Sequence, residues 1–412
     1  MATAENAGGK EQSSGPVVPI KGDHVLFVTN SLITSDHPSK GGTWLLTQTK
    51  AYLERGWKVG ILCVMQRSGS RLRKRLFHGP WLSRTVVHGA APAYCDYGWR
   101  LLWDRKYTAR LAFRVYPAAS LRLFLAYIAR HGRPDIIHVH CSKHAILAGR
   151  LFSEWASRPM FVTEHQFIHR HRFVNPRVGR EIKAALRKAR GVIAVSPMLR
   201  DELAQWAGLP SDKMAAIPNM VDEDFFTVAP FPQTDEFRFV AVGTLDANKN
   251  QAMLVRAMAL TSKRYPFVRA TIVGSGPKLQ ELRRLAGELG VEDRVTFTGP
   301  LERDEVRRCI WDSHVVVSTS HQETFAMPLT EGLACGRPVL ATASGGPQSI
   351  VTAEIGRLVP VGCTEELARG MEDMIANHGR YRPERLREYA VAHFGTQAVM
   401  DKLSAHYELC CG

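Results

Sequence analysis

None of the eight cysteines, at 63, 95, 141, 309, 335, 363, 410 and 411, stands in a C-x-x-C pair, so a zinc site is not signalled. Most fall in apolar strand or helix patterns and read as small core residues of a protein in a reducing compartment. Cys410 and Cys411 read as an idle pair at a frayed end. No run of 18 or more apolar residues occurs, which excludes a membrane-spanning helix. Residues 1–22, MATAENAGGKEQSSGPVVPIKG, lack the apolar stretch of a secretory signal and read as a disordered tail. Acids are scarce: 39 Asp and Glu face 54 Lys and Arg, a net charge of +15. An anionic partner is expected, and nucleic acid, membrane phospholipid and phosphorylated substrates all qualify.

What is present is a soluble-protein balance of 45% hydrophobic and 23% charged residues over 412 positions, enough for two or three domains. Short β-branched runs alternate with helical patterns: HVLFVT (24–29), WKVGILCV (57–64), DIIHVH (135–140), MFVTEH (160–165) and GVIAVS (191–196). Helical patterns at 43–55, 143–156 and 178–190 lie between them. This alternation predicts a parallel sheet wrapped by helices. The period lapses over 218–237, PNMVDEDFFTVAPFPQTDEF, which reads as an interdomain connection. A second series follows: FRFVAVG (237–243), ATIVG (270–274), RVTFTG (294–299), HVVVSTS (314–320) and RPVLAT (337–342). The expectation is two doubly wound, Rossmann-like α/β domains facing across a cleft, at 23–227 and 228–395. A last helix within 396–412 is expected to pack back onto the first domain. Ligands of such sheets bind beyond the carboxyl ends of the strands.

One stretch falls at such an end. ETFAMPLTE (323–331) follows HVVVSTS and enters a helix, with Pro328 suited to its first turn and Gly336 to its end. Glu323 is then at the strand end and Glu331 about one turn into the helix. Free N–H groups near Ala326 and Met327 suit a phosphate. An acid on each side of a phosphate-binding helix start fits the hydroxyls on either side of a diphosphate. The plain alternatives are a solvated loop acid for Glu323 and a helix-dipole partner for Glu331. The two acids taken alone favour those alternatives.

The longer run S-x-x-E-T-F-A-M-P-L-T-E-G-L-A-C-G-R-P-V, followed by SGGPQSIV (344–351), resembles retaining glycosyltransferases of family 4, which have the GT-B fold. Other segments match in order from residue 24. Gly41 and Gly42 resemble the family's N-terminal glycine pair near the donor. The TEH of 163–165 resembles its strand-end histidine. SPMLRDEL (196–203) and IPNMVDEDFF (217–226) resemble two further family segments. VGTLDANKN (242–250) resembles G-R-L-x-x-x-K-N, and VGSGP (273–277) the G-x-G-P loop. TFTGPL (296–301) stands where the family's backbone meets the base. The chain departs at Thr244, where an Arg is common, at Met220 and Ala326, where Gly is usual, and at Gln348, where Glu often follows the glycine pair.

The resemblance implies transfer of a sugar from a nucleotide diphosphate sugar to a hydroxyl of a glycan or lipid-linked acceptor, with retention and without a metal or other cofactor. It implies catalytic roles for Glu323, orienting sugar hydroxyls, and His165, steadying the developing positive ring. Lys249 would hold the diphosphate and Glu331 the ribose. Gly41, Gly42, Thr244, Gly274, Gly276, Pro300, Leu301, Thr324, Phe325, Ala326 and Met327 would complete the donor site. A nucleotide-sugar epimerase or phosphorylase-like enzyme, or a non-catalytic binder with a decayed pocket, are the competing classes.

Three patterns imitate other chemistries. Gly274-Ser-Gly276 lacks the third glycine of a dinucleotide fingerprint, since 279 is Leu, and a nicotinamide enzyme is rejected. Asp222-Glu223-Asp224 imitates a metal-binding D-x-D but reads as solvated or capping acids. His169-Arg170-His171-Arg172 reads as a solvated or phosphate-facing loop, and His138 and His140 as core-edge residues. From Arg67 to Arg133, 14 Lys and Arg face two acids, Asp96 and Asp104. Interleaved apolar residues in RLRKRLFHGPWL (71–82) make an anionic membrane the favoured partner over nucleic acid. The expected location is the cytoplasm, peripheral on the inner face of the cell membrane.

Overall fold

A computed structural model describes residues 23–30, 43–66, 82–98, 108–141, 145–167 and 176–411. The tail at 1–22, Gly41, Gly42, His169–Arg172 and the basic stretches 67–81 and 99–107 lie outside the described residues. The first domain runs β1 (His24–Thr29), α1 (Thr43–Glu54), β2 (Lys58–Gln66), β3 (Leu82–Val87), β4 (Ala91–Gly98), α2 (Thr108–His131), β5 (Ile136–His140), α3 (Ala145–Ala156), β6 (Met160–Glu164), α4 (Pro176–Lys188), β7 (Gly191–Ala194), α5 (Pro197–Ala207) and β8 (Met214–Ala216). The second runs β9 (Phe237–Val242), α6 (Gln251–Thr261), β10 (Val268–Val273), α7 (Leu279–Glu288), β11 (Val295–Gly299), α8 (Arg303–Trp311), β12 (Val315–Ser318), α9 (Met327–Ala334), β13 (Val339–Thr342), β14 (Gly356–Val359), α10 (Thr364–Ala376) and α11 (Pro383–Phe394). α12 (Thr396–Cys411) follows.

The sheets are ordered β3-β4-β2-β1-β5-β6-β7-β8 and β11-β10-β9-β12-β13-β14. Every pairing is parallel except β3 with β4. Every residue of β1, β5, β6 and β7 is buried, because helices cover both faces of the sheet; this is why those strands read as unbroken apolar runs. His138 and His140 are fully buried within β5, so they belong to the core and not to its edge. Sequence patterning does not reveal β3, β4, β8 or β14. Three of these lie at or next to a sheet margin of the first domain and the fourth is the margin of the second.

Strand order reverses at β1/β5 and at β9/β12. Loops leaving two such neighbours diverge over opposite faces and leave a crevice between them. In the second domain these loops carry Lys249 and Glu323. In the first, β1 is followed by the segment holding Gly41 and Gly42.

The connection between domains is clamped to the second. Arg337, fully buried, donates to the carbonyls of Ala229 (2.7 Å), Pro230 (2.8 Å) and Trp311 (2.7 Å). These carbonyl dipoles offset the desolvation of its charge. Arg387 donates to the carbonyls of Phe226 (2.8 Å) and Glu223 (2.9 Å). The Val221 amide binds the Phe394 carbonyl at 2.8 Å. α12 then returns to the first domain, where Val399, Met400, Leu403 and Tyr407 join the core cluster of Phe27, Tyr52 and Ile61. Cys410 packs against that cluster, 3.7 Å from His406 Nε2, and is no frayed end.

Candidate active site

The loop after β9 turns on Asp246. One carboxylate oxygen accepts the amides of Asn248 and Lys249, both at 2.9 Å, and the other accepts the Thr244 hydroxyl at 2.7 Å. This side-chain-closed turn directs Lys249 toward the end of β12. There Lys249 Nζ forms an ion pair with Glu323 Oε1. The same oxygen accepts the Ser320 hydroxyl at 2.7 Å. Glu323 is buried, so this pairing is what makes its charge tolerable. Its backbone is stitched to the loop after β13: its amide donates to the Ser344 carbonyl (2.9 Å) and its carbonyl accepts the Gly346 amide (2.8 Å). Lys249, Glu323 and the 344–346 segment therefore form one platform.

The glycines of VGSGP have a steric reason. A Cβ on Gly274, whose φ is +136°, would lie 1.8 Å from the Gly243 carbonyl oxygen. One on Gly276 would lie 2.2 Å from that of Leu245. The loop thus lies flat on the lysine loop. The Gly274 amide also binds the Gly299 carbonyl at 2.9 Å, which brings Pro300 and Leu301 alongside.

α9 begins where the sequence places it. Ala326 is its N-cap, with φ +80° and ψ 66° and no side-chain cap. In the first turn Pro328 has no N–H and the Leu329 amide binds the Ala326 carbonyl at 3.0 Å, which leaves the Met327 amide without an intrahelical acceptor. Phe325 sends its side chain into the core, edge-on to Phe394, and leaves only its backbone facing the site. Glu331 is half-buried as a residue while its carboxyl is enclosed by protein, and that burial pushes its pKa up to about 7 against an opposing pull from Arg303.

The first domain presents rings. His165 stacks on Trp44, with centroids 3.8 Å apart and planes 22° apart. Its Nε2 is 3.2 Å from His140 Nδ1. His140 in turn stacks on His138, which binds the Thr163 hydroxyl (2.7 Å) and the Tyr407 hydroxyl (2.5 Å). Burial draws His165 and His138 down to about 3, and His140 well below its ordinary value, so all three are neutral at pH 7. A cavity of about 20 Å³, bounded in part by Trp44, Gln48, His165 and Asn219, has room for a single water beneath them.

The domains meet at this point. The Thr324 hydroxyl donates to the His165 carbonyl at 2.8 Å. Met198 at the start of α5 covers Gly345, whose Cβ position lies 2.0 Å from the Met198 methyl carbon. Asp222 bridges Lys50 of α1 (3.8 Å) and Arg303 of α8 (2.9 Å), while Asp224 pairs with Lys50 (2.6 Å). Among the described residues no group of three or more His, Cys, Asp or Glu is arranged to hold a metal ion.

The structure thus brings together Lys249, Glu323, Thr324 and His165, with Thr244, Gly274, Gly276, Pro300, Leu301, Ala326, Met327 and Glu331 on the same carboxyl-end face. Sequence reading missed Ser320, Asp246, Trp44 and His140. Asp246, two and three residues before the amides it binds, carried a readable turn signal; the stacking of Trp44 on His165 joins residues 121 apart and carried none.

Family models for "Glycosyltransferase Family 4" and "Glycosyl transferases group 1" match residues 41–225 and 222–393. A human phosphatidylinositol N-acetylglucosaminyltransferase component is 27% identical over 351 residues, covering 84% of this chain and 68% of that protein. A D-inositol 3-phosphate glycosyltransferase of Mycobacteroides abscessus is 34% identical over 181 residues, 42% of this chain and 40% of that one. Of solved structures, Anabaena HepE in complex with UDP is similar in fold at TM-score 0.69 and 21% identity, covering 93% of this chain and 98% of its own. Sucrose-phosphate synthase from Thermosynechococcus elongatus gives 0.70 and 23%, covering 93% and 97%. With both halves matched in order and the fold shared along nearly the whole length, the chain belongs to the group 1, family 4 glycosyltransferases and is a glycosyltransferase of the GT-B fold.

Proposed function

We propose that the protein transfers a sugar, with retention and without a metal, from a nucleotide diphosphate sugar to a hydroxyl of a glycan or lipid-linked acceptor. The observation that carries this reading is the Lys249–Glu323 pair at the adjoining ends of β9 and β12, beside the N-terminus of α9. A diphosphate placed there meets one ammonium and the Met327 amide at the helix start, which stabilise the negative charge that grows as the sugar–phosphate bond breaks. Glu323 orients the sugar hydroxyls. The acceptor oxygen attacks on the face the phosphate leaves, and its proton passes to the departing phosphate oxygen. The neutral carbonyl and ring of His165 face the developing positive sugar without opposing it. Glu331 takes the ribose hydroxyls.

Support for the donor class comes from HepE, solved with UDP and with UDP-glucose. Support for a phosphate-bearing or lipid-linked acceptor comes from the relatives named for phosphatidylinositol and inositol 3-phosphate. The excess of 14 cations over two acids between 67 and 133 suits such an acceptor on an anionic membrane surface, at the inner face of the cell membrane. Gln66 and Gly98, which lead into 67–81 and 99–107, are register partners at the carboxyl ends of β2 and β4. No helix of the described residues is long and apolar enough to cross a membrane.

The test is turnover of a nucleotide-sugar panel, chosen by protection against thermal unfolding, in excess chelator and with acceptor on neutral or anionic vesicles. Full activity in chelator, a product with the donor's anomeric configuration and a preference for anionic vesicles are expected. Loss restored by magnesium would return Asp222 and Asp224 to consideration as ligands. An inverted product overturns retention, and sugar change without acceptor identifies an epimerase.

A further inference from the structure

The hydroxyl of Thr324 does not face the helix start where a diphosphate would sit; it crosses to the other domain. It donates to the backbone carbonyl of His165 at 2.8 Å. Both ends of this hydrogen bond are held firmly. On one side, Glu164 is fully buried and its Oε1 accepts the amides of His165 (2.9 Å) and Gln166 (3.0 Å), fixing the turn that aims the carbonyl outward. On the other, Thr324 follows Glu323, whose backbone is bonded in both directions to the loop after β13. That loop makes a second cross-domain contact through Gly345 and Met198. Closure and the placement of the Glu323 carboxylate therefore depend on the same few backbone atoms.

We propose that Thr324 is a positioning residue that latches the two domains, so that closing the cleft and seating Glu323 opposite His165 are one event. This rests on the transfer reading above, but its structural half can be measured without turnover. A latch of this kind contributes to the closed state and not to holding the nucleotide, for which the Lys249 loop and the start of α9 in the second domain supply the charge and the amide. Removing it lowers the fraction of complexes poised for chemistry, while nucleotide binding persists.

The experiment compares Thr324→Val, which swaps the hydroxyl for a methyl group of similar size, with Thr324→Ser, which keeps it. X-ray scattering of each protein with and without UDP reads domain closure. Calorimetry reads UDP affinity, and steady-state kinetics read kcat and KM. Expected for Thr324→Val is a kcat lower by roughly two- to tenfold, the range of one net hydrogen bond, a larger radius of gyration with UDP, and UDP affinity within about twofold of the parent. Thr324→Ser should restore closure and kcat. Three outcomes overturn the proposal: Thr324→Val as compact and as active as the parent; a higher kcat, which would make the contact inhibitory; or weakened UDP binding at unchanged kcat, which would make Thr324 a donor ligand. If the parent turns over no sugar, the transfer reading fails, while scattering still decides on the latch.

Discussion

The crevice of the second domain is built from charge: a single ammonium, that of Lys249, is locked to Glu323, with Glu331 a short way down the helix. The crevice of the first is faced by neutral rings, His165 stacked on Trp44, with His140 and His138 stacked in the core behind them. One sheet architecture supports both, so the difference lies in what each crevice must hold. Fixed charge suits a diphosphate, whose charge does not vary between donors. Neutral aromatic walls suit a sugar ring and an acceptor that differ from one relative to the next.

The largest effect that would break this contrast is at the ion pair. Lys249→Ala should lose roughly ten- to a hundredfold in nucleotide affinity, the range of a hydrogen bond to a charged group, and should melt earlier because Glu323 is left buried and unpaired. Glu323→Ala should lose turnover more than affinity. The double variant should be more stable than Lys249→Ala alone, since no orphan charge remains. His165→Phe, on the neutral side, should leave nucleotide affinity within a few-fold. Calorimetry and thermal melts on the four proteins decide; equal affinity losses at Lys249 and His165 would erase the distinction.

A smaller effect concerns Glu331. Its native pKa of about 7 lies above its ordinary 4.5, so the folded state keeps a proton that the unfolded state has released. Stability from this group is therefore greatest below about pH 4.5, declines as pH rises toward 7 and then levels off. The ribose role proposed for the carboxylate runs the other way, and under it nucleotide affinity should fall as pH drops below about 7. Glu331→Gln should flatten both profiles between pH 4.5 and 7. A profile unchanged by the substitution would show that the charge of Glu331 plays no part.

The smallest is at Ala326. A left-handed conformation costs a residue with a Cβ about 1–2 kcal/mol, and glycine escapes most of that. Ala326→Gly should raise the melting temperature by a few degrees, measured by calorimetry, with turnover preserved. A lower melting temperature would mean that the methyl group packs better than the backbone is strained.

The sequence made much of this legible, for local reasons. Apolar runs marked the central strands because both faces are covered, and ETFAMPLTE marked α9 because Pro328 and Gly336 punctuate it. What stayed hidden is what depends on distant partners. Nothing near residue 324 announces that its hydroxyl reaches residue 165. Likewise, nothing in DIIHVH shows that His138 and His140 are wholly buried, since the partners of His138, Thr163 and Tyr407, come from another strand and from α12. The edge strands β3, β8 and β14 were unreadable because segments of three to six residues carry too little periodicity.

The return of α12 has a consequence for how the molecule is made. Val399, Met400, Leu403 and Tyr407 complete a core whose other members come before residue 221. A ribosome adds roughly 5–20 residues each second, so the stretch between them takes on the order of ten seconds or more to appear. Through that interval the first sheet waits with an apolar trough uncovered and with Tyr52 and His138 lacking the Tyr407 hydroxyl. The earlier-made half is thus the later one to be sealed, and a nascent chain stalled within the second domain would present that trough to any chaperone nearby.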